Sequence, residues 1–169
     1  ENDARAQKFL FEKFGPKLYA ICMRYAKDKS EANDMMQMGF VKVFEKLNSY
    51  KGEGSFEGWM RRIVVNTCLD EIRRNKKFKN NMDIDDVGYK LTSNETVLAE
   101  LAAEDLLKTL QHLPTGYRTV FNLYVIEGYS HKEIAEELDI SVSTSKSQFS
   151  RAKALLREVL EKQNLRYEI

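Results

Sequence analysis

The chain has 169 residues, of which 43% are hydrophobic and 31% charged, and its formal net charge is +1. This composition favours a globular, mostly helical protein of one usual-sized domain or two small ones. No run of about 20 apolar residues predicts a membrane span, and no cationic start followed by an apolar run predicts a signal peptide. We therefore expect a cytoplasmic protein without membrane insertion.

Three amphipathic helices are predicted in the first part of the chain. Apolar residues recur at helical spacing over 4–25, again after a polar break at 28–30, and again from Ser55 to about Lys76. Ser30 and Ser55 are the predicted N-caps of the second and third helices. Three such helices with short breaks can bury a common core, so we expect a bundle. The predicted inward residues of the first helix are Phe9, Leu10, Phe14, Leu18, Ile21, Cys22 and Tyr25.

The segment YKGEGS, residues 50–55, contains two glycines and is predicted to be a loop. A glycine-rich loop before a helix can bind phosphate, but this one lacks the GxxxxGK[ST] pattern and follows no predicted strand. We therefore reject a P-loop. The two cysteines, Cys22 and Cys68, lie in apolar helical patterns without CxxC spacing, which favours buried reduced thiols over a metal site or a disulfide.

Charge is unevenly distributed along the chain. Residues 61–77 contain six cations and two anions, and residues 79–104 contain two cations and six anions. Cations dominate again in the last predicted helix. Two basic segments that flank an acidic one suggest two separate contacts with a polyanion.

The helical periodicity is lost over 78–95, which is rich in Asn, Asp, Ser and Lys and reads as a flexible acidic linker. Helical spacing resumes near Thr96 and stops before Pro114, and a further helix is predicted from about Thr115 to Gly128. The sequence thus predicts an all-α fold of two small helical domains, a three-helix or four-helix bundle and a helix-turn-helix domain, joined by the linker.

The helix-turn-helix is predicted within YSHKEIAEELDISVSTSKSQFSRAKALLREVL, residues 129–160. Ser130 and Glu133 have the spacing of a capping box, and Ser141 or Ser143 can cap the second helix. Its predicted inward residues begin at Val142. Short hydroxyls, amides and cations on its outward face suit base edges and phosphates in a major groove. An ordinary helical hairpin with a solvated face is the alternative. The outward residues are Ser143, Thr144, Lys146, Ser147, Gln148, Ser150, Arg151 and Lys153.

Three segments resemble one family, the extracytoplasmic-function sigma factors, which are small two-domain relatives of the promoter-specificity subunit of bacterial RNA polymerase. DKSEANDMMQMGFVKVFEKL resembles the family helix D-x-x-x-A-x-D-L-x-Q-x-x-F-x-K-x-[FW]. YKGEGSFEGWMRRIVVNTCLDEIRRNKK is similar to the family block F-x-G-x-x-F-x-x-W-L-x-R-I-x-x-N-x-x-x-D-x-x-R-R. LPTGYRTVFNLYVIEGYSHKEIAEEL resembles L-P-x-x-x-R-x-V-F-x-L-x-x-x-E-G-x-S-x-x-E-I-A-x-x-L.

The resemblance implies a division of labour between the two domains. Residues 1–77 would be a region 2 domain that binds core RNA polymerase and the minus-10 element, 78–95 the linker, and 96–169 a region 4 domain that binds the minus-35 element. Asp34 and Gln37 would contact polymerase. Without the family, a solvated polar helix face is the simpler interpretation of these two residues.

The resemblance also implies the DNA-binding residues. Single-stranded minus-10 DNA would be recognised by Lys51, Ser55, Arg62, Asn66, Asp70, Arg73 and Arg74, with Asn66 the best candidate for a base contact. Double-stranded minus-35 DNA would be recognised by Ser143, Thr144, Lys146, Ser147, Gln148, Ser150 and Arg151. Many relatives have Gly in place of Ser143 and Arg in place of Gln148, so the preferred bases of this chain are not implied.

The function implied is promoter-specific initiation with core RNA polymerase as partner, controlled by an anti-sigma factor, without cofactor, metal or small-molecule substrate. The alternative is a stand-alone helix-turn-helix regulator, which leaves residues 50–77 without a purpose. An enzyme is disfavoured. His112 and His131 are the only histidines, neither has metal-ligand spacing to a cysteine, and the carboxylates follow helix-surface periodicity.

Overall fold

A computed structural model describes residues 3–79 and 103–164, and within these ranges it contains helices and no strands. The chain divides into two compact units, Glu1–Asn81 and Met82–Ile169, here called the N-terminal and C-terminal units. The all-α fold class is confirmed. From residue 80 on, the predicted linker lies outside the described residues, as does the predicted helix before residue 103. The helices are α1 (Ala4–Tyr25), α2 (Lys29–Lys46), a 3-10 turn (Leu47–Ser49), α3 (Phe56–Lys79), α4 (Ala103–Gln111), α5 (Thr115–Phe121), a π-helical turn (Asn122–Ile126), α6 (His131–Leu138) and α7 (Val142–Asn164).

Helix α2 begins at a different cap from the one predicted. The Glu31 backbone N–H donates to Asp28 Oδ1 at 2.9 Å, and the Lys27 N–H donates back to Glu31 Oε2 at 2.6 Å. The prediction of Ser30 as the cap is therefore wrong. Asp28 is the better cap because its carboxylate satisfies a free amide and also interacts favourably with the positive end of the helix dipole.

The N-terminal unit is a bundle of α1, α2 and α3 around an apolar core. Gly39 on α2 allows a close approach to α3, since a Cβ at this position would lie 3.0 Å from Val64 Cγ2. The core thiols are free, as predicted, and they touch each other, with Cys22 Sγ 3.9 Å from Cys68 Sγ. The Cys22 hydrogen bond and burial raise the pKa of the Cys68 thiol. The buried residues include Leu18, Cys22, Tyr25, Met35, Phe40, Val43, Met60, Val64, Cys68 and Leu69.

One predicted core residue of α1 is exposed. Phe9 has 59% of its surface accessible, and the Lys13 ammonium lies 5.5 Å from its ring centroid. The first three turns of α1 are mostly exposed, and continuous burial begins only near Leu18. Periodicity predicts which side of a helix is apolar, but it does not predict how far along the helix its neighbours extend.

The C-terminal unit packs α4, α5 and α7 around Leu110, Leu113, Phe121, Ala152 and Leu156. A charged side chain lies inside this unit. Arg118 is 2% exposed, and its Nη1 donates to the carbonyl oxygens of Gln111 and Leu113, each at 3.3 Å. These bonds join the end of α4 to α5 and satisfy carbonyls that the end of α4 leaves unpaired.

The helix that follows Pro114 changes its pitch before it ends. After Phe121 the chain forms a π-helical turn, in which the Glu127 N–H donates to Asn122 O at 3.0 Å, and Gly128 then adopts a positive φ of 77°. The wider turn shifts the phase of the side chains. Tyr124 and Val125, whose spacing predicts an inward position, are consequently 40% and 49% exposed.

The helix-turn-helix forms where it was predicted. Ser130 and Glu133 make the capping box of α6, and Asp139 adopts the left-handed conformation with φ 52° in the turn before α7. Ser145, Ala152 and Leu156 are buried on the inner side of α7, whereas Val142 is 40% exposed. The prediction of Val142 as an inward residue is wrong because the inner face of α7 begins one turn later, at Ser145.

Candidate nucleic-acid interface

Helix α3 has a polar stripe that the sequence predicts as a single-strand DNA surface. Asn66 and Asp70 are one turn apart, as are Arg62 and Asn66, so the three side chains share one face. Arg62 and Asn66 are exposed, and no described residue bonds to the side chain of either. An exposed amide that can both donate and accept is suited to the edge of an unpaired base.

The next residues of the stripe are held by ion pairs. Asp70 Oδ2 lies 2.8 Å from Lys42 Nζ on α2, and Asp70 Oδ1 lies 2.7 Å from Arg73 Nη2. Partial burial would raise the pKa of Asp70, but hydrogen bonds from Lys42 and Arg73 outweigh it and hold the pKa below its usual value. Arg74 pairs with Glu71 in the same way. Lys42 is absent from the sequence-predicted site because its contact crosses between helices.

The loop before α3 is shaped by an aromatic side chain. Gly52 and Gly54 have positive φ angles of 78° and 76°, and the Tyr50 hydroxyl donates to Gly54 O at 2.8 Å. The Tyr50 ring lies 5.4 Å from the ring of Trp59, which packs in this cluster as predicted and is not exposed as a wedge. Tyr50 therefore fixes the loop, a role that could have been suspected from its position beside the two glycines.

The loop also places the two residues predicted to bind DNA there. Ser55 Oγ accepts the Gly58 N–H at 2.9 Å, so Ser55 is the N-cap of α3, as predicted. Lys51 is exposed, and no described residue pairs with its ammonium. Of the two, Lys51 is available to a phosphate, and Ser55 orders the start of the helix.

The residues predicted to bind polymerase lie on the outer face of α2. Asp34 and Gln37 are exposed, and no described residue bonds to their side chains. Val41, one turn beyond Gln37, is 55% exposed and extends the face with an apolar side chain. A large apolar residue beside unpaired polar groups is typical of a protein-binding surface.

Hydroxyl groups cluster at the start of α7. The Thr144 N–H donates to Ser141 Oγ at 2.9 Å, so Ser141 is the cap, and its oxygen also lies 2.7 Å from Ser143 Oγ and 2.8 Å from Thr144 Oγ1. Ser147 Oγ donates to Thr144 O at 3.0 Å. The start of α7 thus presents several hydroxyls beside the positive end of the helix, where phosphate oxygens are favoured.

The remaining predicted residues of α7 form two groups. Lys146 is exposed, and Ser150 is half-buried without a side-chain bond to a described residue. Arg151 Nη1 donates to the Tyr117 hydroxyl at 3.3 Å, and Gln148 lies against Gly116, where a Cβ would be 3.4 Å from its amide. The first turn of α5 therefore positions the side chains of Gln148 and Arg151, which sequence reasoning did not predict.

A histidine connects the two helices of the helix-turn-helix. His131 Nδ1 shares a hydrogen bond of 2.9 Å with Ser145 Oγ, and its ring stacks on Tyr124 at a centroid distance of 4.5 Å. Burial, and then the charge of Lys146, lower the pKa of His131 below its usual value. His131 is therefore a neutral partner for Ser145 near pH 7 and fixes the rotation of α7 against α6.

In the described ranges, no helix is long and apolar enough to cross a membrane, and no three or more His, Cys, Asp and Glu residues are grouped so that they could hold a metal ion.

Comparisons with known proteins identify both units. A family model for sigma-70 region 2 matches residues 10–78, and one for sigma-70 region 4 matches residues 103–156. The chain is 30% identical over 172 residues to the ECF RNA polymerase sigma factor SigW of Bacillus subtilis, covering 95% of this chain and 91% of that relative. It is 27% identical to the ECF RNA polymerase sigma-E factor of Haemophilus influenzae, with coverages of 95% and 90%.

Two further comparisons agree. The chain is 31% identical to the ECF RNA polymerase sigma factor SigE of Mycolicibacterium smegmatis, covering 90% of this chain and 61% of that longer relative. The sigma factor RpoE of Bartonella quintana, crystallised with the anti-sigma factor NepR, has the same fold with a TM-score of 0.51 at 22% identity, covering 91% of this chain and 96% of RpoE. The chain belongs to the sigma-70 family, in its extracytoplasmic-function group.

Family membership confirms the predicted class of function. Sigma factors act with RNA polymerase in promoter-specific transcription initiation and have no catalytic activity of their own. A stand-alone helix-turn-helix regulator is not supported, because the region 2 match accounts for the residues that such a regulator would not use.

Proposed function

We propose that each unit contributes one DNA contact and that the N-terminal unit also binds core RNA polymerase. The surface of α3 with the loop at 51–55 binds the single-stranded minus-10 element and helps to melt it. The face of α7 from Ser143 to Arg151 enters the major groove of the minus-35 element. Asp34 and Gln37 contact polymerase. In this proposal residues 1–77 and 96–169 are the two functional domains, and residues 78–95 join them.

The observation that carries the proposal is the exposed, unbonded amide of Asn66 among cations on α3. A melted strand presents base edges and phosphates together, and an amide beside Arg62 and Arg73 matches both. On α7 the hydroxyls precede Gln148 and Arg151, and this order fits a helix whose first turns approach the bases of duplex DNA.

Two features support the polymerase contact on α2. Asp34 and Gln37 have no partner among the described residues, and the exposed Val41 continues their face. Burial of an exposed valine on binding would add a hydrophobic contribution of about 1–2 kcal/mol. Because core polymerase is the proposed partner, the protein would act in the cytoplasm.

An anti-sigma factor is the second proposed partner. The structurally similar RpoE of Bartonella quintana was crystallised with the anti-sigma factor NepR. A protein that covers the α2 face or the α7 face of this chain would prevent initiation without any chemical change.

The test is transcription in vitro with the full chain, purified bacterial core polymerase and a library of promoter fragments with randomised minus-35 and minus-10 segments. We expect transcripts with defined start sites, enriched for two sequence elements at a constant spacing. Core polymerase alone is the control. Failure to bind core, or transcripts without enrichment of either element, would contradict the proposal.

A further inference from the structure

Lys42 of α2 joins the polar stripe of α3 through Asp70. Its ammonium lies 2.8 Å from Asp70 Oδ2, and the Arg73 guanidinium lies 2.7 Å from Asp70 Oδ1. The Lys42, Asp70 and Arg73 side chains are 37%, 48% and 39% exposed. Two cations from two helices are thus held at the surface on opposite oxygens of one carboxylate.

The occupied carboxylate changes the role of Asp70. A free carboxylate beside a DNA strand would repel its phosphates, but both oxygens of Asp70 already accept hydrogen bonds from cations. The three groups together carry one net positive charge. Asp70 is therefore arranged to fix two phosphate-binding groups and not to accept a hydrogen bond from a base.

Holding the helices together does not account for the Lys42–Asp70 pair. Exposed ion pairs of this kind contribute about 0–1 kcal/mol to stability. Helices α2 and α3 already pack closely through Gly39 and Val64, with a fully buried core around them. Asp70 is one turn beyond Asn66, so the Lys42 ammonium lies near the amide proposed to contact a base.

We propose that Lys42 is a further DNA-binding residue, which contacts a backbone phosphate of the minus-10 strand, and that Asp70 is a positioning residue that holds Lys42 and Arg73. This inference rests on the proposed minus-10 function of α3. It adds to that surface a residue from α2, and it replaces the base contact predicted for Asp70 with a positioning role.

The first experiment counts phosphate contacts. Holoenzyme is assembled from core polymerase and the full chain, and its affinity for a forked DNA is measured at several KCl concentrations. The single-stranded arm of the fork carries the minus-10 strand selected from the promoter library. We expect Lys42→Met to weaken binding roughly fivefold and to reduce the salt slope by about 0.7, the value for one contact with a single strand.

Two variants serve as controls. Lys8 also pairs with a carboxylate, Glu12, but this pair lies within α1, so Lys8→Met should leave the salt slope unchanged. Lys42→Arg retains the cation and should keep the slope of the wild type. Unfolding midpoints within the error of the wild type establish that each variant is folded.

The second experiment tests the positioning role of Asp70 with a double-mutant cycle. Asp70→Asn should lower the preference for the selected strand over a scrambled strand about threefold, and this loss should be smaller when Lys42 is already Met. An equal loss in both backgrounds would show that Asp70 contacts DNA itself and would overturn the positioning role. An unchanged slope in Lys42→Met, with normal wild-type binding, would overturn the Lys42 contact alone. Wild-type holoenzyme that does not bind the fork would contradict the proposed function and this inference together.

Discussion

The two units orient their proposed DNA-binding side chains by different means. In the N-terminal unit, Asp70 and Glu71 hold Arg73 and Arg74 through ion pairs on the helix surface. In the C-terminal unit, the groups of α7 are held by neutral partners, such as the Tyr117 hydroxyl on Arg151 and Ser141 at the helix cap. The same types of side chain are therefore preorganised by charge in one unit and by neutral hydrogen bonds in the other.

This difference matches the two forms of DNA proposed for the units. A single strand has no fixed shape, so cations held at set positions can select the backbone path that brings a base to Asn66. Duplex DNA already has a defined groove, and the protein needs only a helix at the correct rotation. Ion pairs at the surface weaken as salt rises, whereas neutral hydrogen bonds do not. We therefore expect added salt to disturb the α3 surface before it disturbs α7.

The interiors also differ. The core of the N-terminal unit is apolar, apart from its touching thiols and the buried hydroxyl of Thr67. The C-terminal unit buries Arg118, Thr119, Asn122 and Ser145. Buried polar groups require their hydrogen-bond partners, so the smaller polar substitutions should harm the C-terminal unit more.

The largest effect is expected for Arg118→Ala. The variant loses both hydrogen bonds to the end of α4 and leaves a cavity, which should reduce the stability of the C-terminal unit by about 3 kcal/mol. The measurement is urea unfolding of the full chain. Trp59, the single tryptophan, reports on the N-terminal unit by fluorescence, and far-UV circular dichroism reports on both.

The control for Arg118 is Arg62→Ala, which removes an exposed cation from α3 and should change stability by less than about 0.5 kcal/mol. In Arg118→Ala the fluorescence transition should stay at the wild-type urea concentration while the circular dichroism transition moves lower. A shift of both transitions by the same amount would contradict the separate stability of the two units.

The next effect concerns base preference in the N-terminal unit. Asn66→Ala should reduce transcription from the selected promoter about tenfold and relax the preference at one minus-10 position, because a base-edge contact contributes about 1–3 kcal/mol. Asn75→Ala is the matched control. Asn75 lies nine residues further along α3, on its opposite side, and its amide lies 3.5 Å from Glu31 Oε1. Equal losses for both variants would argue against a specific role for Asn66.

A smaller effect is expected from Arg151→Ala in the C-terminal unit. Loss of one duplex phosphate contact should weaken minus-35 binding several-fold and reduce the salt slope by about 0.9. Minus-10 preference should be retained. Arg157→Ala, six residues along the same helix and so on a different face, should keep the wild-type slope. If Arg151→Ala altered minus-10 preference instead, the assignment of separate DNA contacts to the two units would be wrong.

The features that sequence predicted correctly depend on neighbouring residues. The Ser130–Glu133 capping box is a contact over three residues, and the stripe from Arg62 to Arg74 follows from helical spacing alone. Fold class and function were predicted from such local patterns and from the family motifs that contain them. The roles proposed for individual site residues remain predictions.

The features that sequence missed depend on how helices rotate against each other. The contacts of Lys42 with Asp70, of Tyr117 with Arg151 and of Cys22 with Cys68 each join two helices, and no spacing along the chain predicts them. The π-helical turn has a similar effect, since one wider turn moves Tyr124 out of its predicted inward position and onto the ring of His131.

The smallest effect is a pH dependence confined to the C-terminal unit. The pKa of His131 is lower in the folded protein than the usual value of 6.5, so the unfolded chain binds more protons near that pH. Stability of the unit should therefore be complete above about pH 7 and fall as the pH drops through 6.5, by less than about 1 kcal/mol at pH 5.5.

His131→Gln should remove this part of the pH dependence, and Lys146→Met should reduce it, since Lys146 is the cation that disfavours the protonated ring. Circular dichroism at pH 7.0 and 5.5 measures the change in the C-terminal unit, and Trp59 fluorescence supplies the N-terminal unit as an internal control. If His131→Gln kept the full pH dependence, the contact between His131 and Ser145 would not be its source. The decrease in Lys146→Met separates the charge effect from burial, because burial of the ring remains when the lysine is removed.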